Sequence, residues 1–150
     1  MQLFKGGRVF APESKGAKDV LVHGGRILKV AEQIDPPPGF QVETKDMSDN
    51  YLVPGYIDPH VHVTGGGGEA GPTSRVPEVQ LADLTKYGVT TVVGLLGTDN
   101  VSRHPETLLA KVKALNEHIT AFMYTGSYHL PPDTVTGSVK KDIALIGEIL

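Results

Sequence analysis

Apolar positions follow two regimes along the chain. Through the first fifty residues they come in short runs: Leu3-Phe4, Val9-Phe10, Val20-Leu21-Val22 and Ile27-Leu28, with Val30 close behind. Asp19–His23 and Arg26–Val30 flank Gly24-Gly25, the composition of a two-residue hairpin turn. Leu3-Phe4 and Val9-Phe10 predict a strand pair ahead of that hairpin. Residues 40–47 predict another strand after the Pro36-Pro37-Pro38-Gly39 bend. Short strands separated by glycine turns predict one wall of a small β-sandwich or barrel over residues 1–52.

The second regime starts at Val53-Pro54-Gly55 and covers residues 53–150. Residues 55–63 predict a strand. Residues 76–87 predict a helix whose face is Val79, Leu81, Leu84 and Tyr87, stopped by Gly88. The β-branched run Val89–Leu96 predicts a strand buried on both faces. Pro105 stands at a favoured first helical position, ahead of Leu108, Leu109, Val112 and Leu115. Residues 119–125 predict a third strand, and Ser138 caps a last helix whose apolar positions run from Val139 to Leu150. Strand and helix in strict alternation imply α/β architecture, with parallel strands joined by crossover helices.

The net charge of −3 and the pI near 6.0 give no reason to expect nucleic acid or an anionic membrane as partner, and the chain has no basic cluster that could track phosphates. No segment approaches the roughly 20 apolar residues of a membrane span, and the opening MQLFKGGRVF is too short an apolar run for a signal peptide. There is no cysteine. That fits a reducing cytoplasm and leaves imidazole and carboxylate as the metal ligands on offer.

Against that background His60-Val61-His62 stands out. Side chains two apart on a strand share a face, with Cα atoms roughly 6.5–7 Å apart, so both imidazoles can lean onto one metal. Asp58 shares the face and offers an acceptor for a ring N–H. Two hydrogen-bonded structural histidines would give the same pattern. Gly65–Gly68 follow, then Glu69. A glycine run lets main-chain N–H groups approach an anion, or is simply a flexible surface loop. Glu69 is a partner for an ammonium or a solvated charge. Thr98 and Tyr128 follow the second and third strands of the alternating region, at the end where barrel enzymes hold their sites. The bland alternatives are a turn hydroxyl and a packed loop aromatic.

Pro54-Gly55-Tyr56-Ile57-Asp58-Pro59-His60-Val61-His62 resembles the first-strand signature of the amidohydrolase superfamily of metal-dependent hydrolases. Gly65–Thr73, Gly94–Asp99, Ser102–Glu106 and Thr125–His129 resemble the narrower isoaspartyl (β-aspartyl) dipeptidase family. The resemblance implies a (β/α)8 TIM-type barrel preceded by a small β-sandwich domain. About three barrel units lie within this chain. It implies hydrolysis of dipeptides linked through the aspartate side chain, by a hydroxide shared between two zinc ions and a bridging carboxylated lysine. His60 and His62 would bind zinc; Gly67, Gly68, Glu69, Thr98 and Tyr128 would contact the dipeptide. The lysine and the catalytic base are expected beyond residue 150, so the resemblance implies no catalytic residue within this chain and no activity for it alone. It also implies a homo-oligomer. Another amidohydrolase, a cyclic amidase or deacetylase, and a non-catalytic fragment that pairs with a partner chain are the alternatives.

Overall fold

A computed structural model describes residues Met1–Leu150 and divides them into two compact units, Met1–Pro54 and Gly55–Leu150.

The first unit is one five-stranded sheet: β1 (Gln2–Phe10), β2 (Ser14–His23), β3 (Arg26–Ala31), β4 (Glu43–Asp46) and β5 (Tyr51–Leu52). A sandwich needs a second packed sheet, so this unit presents a single wall. Gly24 and Gly25 both have positive φ, 56° and 70°, and close the β2–β3 hairpin with His23 opposite Arg26. The expected pair of strands at Leu3-Phe4 and Val9-Phe10 is instead one strand. It carries a register shift between Phe4 and Gly7 against β2, so the bulge at Gly6 interrupts the apolar pattern without ending the strand. β4 and β5 run parallel to β1. Leu3, Leu21 and Ile34 are the buried core, and buried Asp19 accepts the Gly6 and Ile34 N–H groups at 2.8 and 2.9 Å.

The second unit alternates β6 (Tyr56–Val61), α1 (Leu81–Thr85), β7 (Val89–Gly94), α2 (Pro105–Leu115), β8 (Thr120–Met123) and α3 (Val139–Leu145). The strands form a parallel sheet in the order β6-β7-β8. Val92, Leu108, Val112 and Met123 are fully buried within its core. Three parallel strands with their connecting helices are present, and every loop leaving a strand's C-terminal end opens on one side of this sheet.

Two helices are shorter than their apolar patterns predict. The expected helix over 76–87 forms only as α1, with a capping box between Gln80 and Asp83. Ahead of it the backbone is already committed. Val76 N–H donates to the Gly66 carbonyl at 2.8 Å and Val79 N–H to the Val63 carbonyl at 3.2 Å, and Pro77 has no N–H to give a helix. The last helix stops at Leu145 rather than continuing to Leu150. Ile149 then pairs in parallel with Met123, as Glu148 accepts from Met123 N–H and Leu150 N–H donates back to the Met123 carbonyl. The apolar tail serves the sheet edge. No helix is long and apolar enough to cross a membrane.

Candidate active site

His60 lies in β6 and His62 just beyond its end. Pro59 cannot donate to the ladder, and the β6–β7 register shifts between Asp58 and Val61, so β6 carries a bulge here. The two imidazoles stand edge to face, centroids 5.5 Å apart and planes at 85°. His60 is exposed and His62 half-buried. Gly66 and Gly97 lie against the His62 ring, where an added Cβ would rest in ordinary contact at 3.6 and 3.5 Å. Nδ1 of His62 is buried without a hydrogen-bond partner. An orphaned ring nitrogen beside a second imidazole fits part of a divalent-metal donor set. Catalytic zinc takes three protein ligands, and no group of three or more potential ligands converges here. Asp58 does not reach a ring nitrogen; its carboxylate accepts the His60 backbone N–H at 3.1 Å and braces the bulge instead.

The segment after His62 is held by a cation. Arg103, 7 % exposed, comes from the β7–α2 connection. Its guanidinium donates to the carbonyls of Thr64 at 3.0 Å, Gly66 at 3.1 Å, Gly67 at 3.4 Å and Val76 at 3.0 Å. Gly65 and Gly67 adopt φ of 87° and 70°, and a Cβ at either would run into the backbone carbonyl of Val76 or Ser74. Asp99 balances the charge, 3.6 Å from Arg103 and 2.5 Å from Arg75. The Ser102 hydroxyl and then its N–H hold the Asp99 carboxyl far below the usual carboxylate range. Gly68 N–H donates to the Ser74 hydroxyl at 3.1 Å, so this predicted substrate contact is engaged within the loop.

Glu69 and Thr98, distant in sequence, meet. The Thr98 hydroxyl donates to the Glu69 carboxylate at 2.5 Å. That bond, then the Glu69 backbone N–H, and more weakly the charges of His62 and Arg103, hold the exposed carboxyl below its ordinary range. The pair lines a cleft of about 370 Å³ with Gly68, Arg75, Asp99 and Asn100.

Tyr128 stands apart from that cleft. It is exposed and lines a shallower one of about 200 Å³ with Leu95, Leu96 and Thr125. The two loops nevertheless touch, through the Asn100 amide and the His129 ring. Sequence reasoning passed over Arg103, Asp99 and buried Asp142. Asp99 carried a usable signal, since Asp followed by Asn-Val-Ser is an Asx-turn pattern, and its carboxylate accepts from Val101 and Ser102 N–H. Arg103 carried none, because arginine is rarely buried and nothing local marks the exception.

No protein-family profile matches the chain. Over 126 residues it is 34% identical to a dihydroorotase from Bacillus cereus (strain G9842), covering 81% of this chain and 28% of that protein. Over 61 residues it is 43% identical to dihydropyrimidinase 2 of Caenorhabditis briggsae, covering 41% of this chain and 11% of that one. The crystal structure of a β-aspartyl dipeptidase from Fervidobacterium islandicum AW-1, in complex with a β-Asp-Leu dipeptide, superposes with a TM-score of 0.89 and 45% identity. That match covers 99% of this chain and 39% of the other. A D-hydantoinase from Thermus sp. shares the fold at 18% identity and a TM-score of 0.60 over 96% of this chain and 31% of that one. The chain therefore spans well under half the length of these relatives.

Proposed function

We propose that this chain, which resembles β-aspartyl dipeptidase of the amidohydrolase superfamily, carries the metal-binding pair and the amine pocket of a cytoplasmic zinc enzyme that hydrolyses β-aspartyl dipeptides. The observation that carries the reading is the Glu69–Thr98 pair, close enough to His62 for that ring's charge to act on the carboxylate. A β-linked aspartyl group presents a free α-ammonium next to the scissile carbonyl, and an ionised, pre-oriented carboxylate is its natural partner.

His60 and His62 would hold the first of two zinc ions, with the bridging carboxylated lysine and the base supplied from beyond residue 150. When bound, the metal supplies Lewis acidity toward the carbonyl oxygen and toward water. The residues of this chain bind and orient. Glu69 takes the α-ammonium, and Thr98 fixes the carboxylate that does so. Gly67 and Gly68 let the backbone lie close to the dipeptide. Tyr128, on the loop leaving β8, donates a hydrogen bond to the carbonyl oxygen as negative charge develops there. Donors of that kind contribute roughly 10²–10³ in rate.

Glu69→Gln in the complete gene product tests this. KM for β-Asp-Leu should rise by roughly tenfold or more, as a charge-assisted bond to the amine is lost. The likeness to dihydroorotase favours a second reading, a cyclic amidase, whose substrate has no free amine. In that case the substitution would leave KM for the cyclic amide unchanged and β-Asp-Leu would not be cleaved by either protein. Residues 1–150 alone should be inactive; turnover on the order of 10 per second by them would overturn that part.

A further inference from the structure

Asp142 is fully buried, and nothing in the chemistry above uses it. It lies in the first turn of α3, and no cation is paired with it. Four donors reach its two oxygens instead. The Thr125 hydroxyl at 2.5 Å and Val135 N–H at 3.0 Å meet Oδ2; Thr136 N–H at 2.8 Å and the Thr136 hydroxyl at 2.6 Å meet Oδ1. A carboxylate without a counter-ion is costly to bury, so this degree of satisfaction points to a specific task.

The donors identify the task. Thr125 opens the loop that carries Tyr128, and Val135 and Thr136 close it, so one carboxylate ties both ends. Inside the tie the Ser127 hydroxyl donates to the Asp133 carboxylate at 2.9 Å and accepts Asp133 N–H at 3.0 Å. Tyr128 follows Ser127 directly and is 67 % exposed, so most of its surface meets no neighbour that could hold it. Its position therefore depends on the loop's base.

We infer that Asp142 is a positioning residue that clasps the 126–134 loop and through it sets where the Tyr128 hydroxyl stands. The inference deepens the proposed dipeptidase reading, and its kinetic half rests on the role given there to Tyr128.

The test compares Asp142→Asn, Tyr128→Phe and the double variant in the complete gene product. Asparagine keeps the shape but turns one acceptor into a donor, which strands an N–H of the tie. Hydrogen exchange of amides 126–134 should speed by about tenfold or more, while β7 and α2 keep their protection. With β-Asp-Leu, kcat should fall by about 100-fold in Asp142→Asn, the scale of an ångström-sized misplacement, with KM much less affected. The double variant should be no slower than Tyr128→Phe alone. Unchanged exchange in the loop would overturn the inference, as would losses that multiply in the double variant. A fully active Tyr128→Phe would instead remove the tyrosine's assigned role, and the kinetic half with it, while exchange still decides on the clasp. If Asp142→Asn does not fold, Thr125→Val removes one donor isosterically and should loosen the same loop to a smaller degree; wild-type exchange in that variant overturns the clasp.

Discussion

The loops that leave β6 and β8 are held in opposite ways. After β6, a buried cation collects carbonyl oxygens from the chain around Gly65–Gly67. After β8, a buried anion collects N–H and hydroxyl donors from Thr125, Val135 and Thr136. Arg103 comes from a neighbouring connection and faces Asp99, a carboxylate it shares with Arg75. Asp142 comes from the helix that follows its own loop, with no counter-ion. The sign of the clasp decides which backbone groups turn inward. A glycine-rich segment can turn three carbonyls toward a single guanidinium because Gly65 and Gly67 reach φ values closed to other residues. The β8 loop needs fewer such positions, because threonine hydroxyls rotate to meet the carboxylate.

The comparison implies unequal consequences, and the largest falls on the β6 side. Arg103→Met should destabilise the protein by about 3–5 kcal/mol, since it takes the donor from four backbone carbonyls at once, those of Thr64, Gly66, Gly67 and Val76. Arg103→Lys keeps the charge but not the planar fork, and should recover only part of that loss. Denaturant midpoints of the complete protein measure both. A loss under about 1 kcal/mol in the methionine variant would mean that the glycine turn holds its shape unaided, and the comparison would fail.

A smaller contrast sets one glycine against another. Gly67 has φ of 70° and Gly126 of 98°, so alanine at either pays for left-handed backbone with about 1–2 kcal/mol. They differ in what the new methyl group meets. At Gly67 it collides with the Ser74 carbonyl, whereas at Gly126 it comes to rest 3.5 Å from the Pro132 ring, an ordinary contact. Gly67→Ala should therefore cost clearly more stability than Gly126→Ala, and should also weaken dipeptide binding. Equal melting temperatures would show that the β6 loop yields as readily as the β8 loop.

The same asymmetry explains what could be read from the sequence. The hairpin at Gly24-Gly25, the buried strand from Val89 and the helix opened by Pro105 all follow from local pattern, because each is decided by residues within one element. That His60 and His62 stand close together was legible for a similar reason, since they lie two apart in an extended segment, and their ring centroids are 5.5 Å apart. The segment before α1 was misjudged because its apolar period is genuine but its N–H groups are taken by Val63 and Gly66, far from any local rule. Asp142 within Val-Lys-Lys-Asp-Ile looks like part of a solvated helix face, and only the return of Val135 and Thr136 upon it reveals the burial. Glu69 and Thr98 were each plausible alone; their bond joins two loops, and pairing of that kind is invisible to spacing.

The smallest expected effect is a difference in acid. Arginine keeps its charge throughout, so the β6 clasp offers its carbonyls the same partner at any pH a folded protein meets. The β8 clasp can titrate. Burial pushes the Asp142 carboxyl upward, but the Thr125 and Thr136 hydroxyls and the two N–H groups outweigh it, and the net direction is below the ordinary value of 3.8. A carboxyl whose folded-state value is depressed contributes stability that is complete above the unfolded value and disappears as pH falls through the folded one. The β8 loop should therefore stay closed from neutral pH down to 3.8 and loosen only below it. Amide proton signals of Val135 and Thr136 in NMR spectra would report this, moving with a midpoint under 3.8, while Val76, bonded to the Gly66 carbonyl, does not follow. A midpoint above 3.8 for the Thr136 amide would mean that desolvation wins over the four donors, and that the anion is a weaker clasp than its geometry implies.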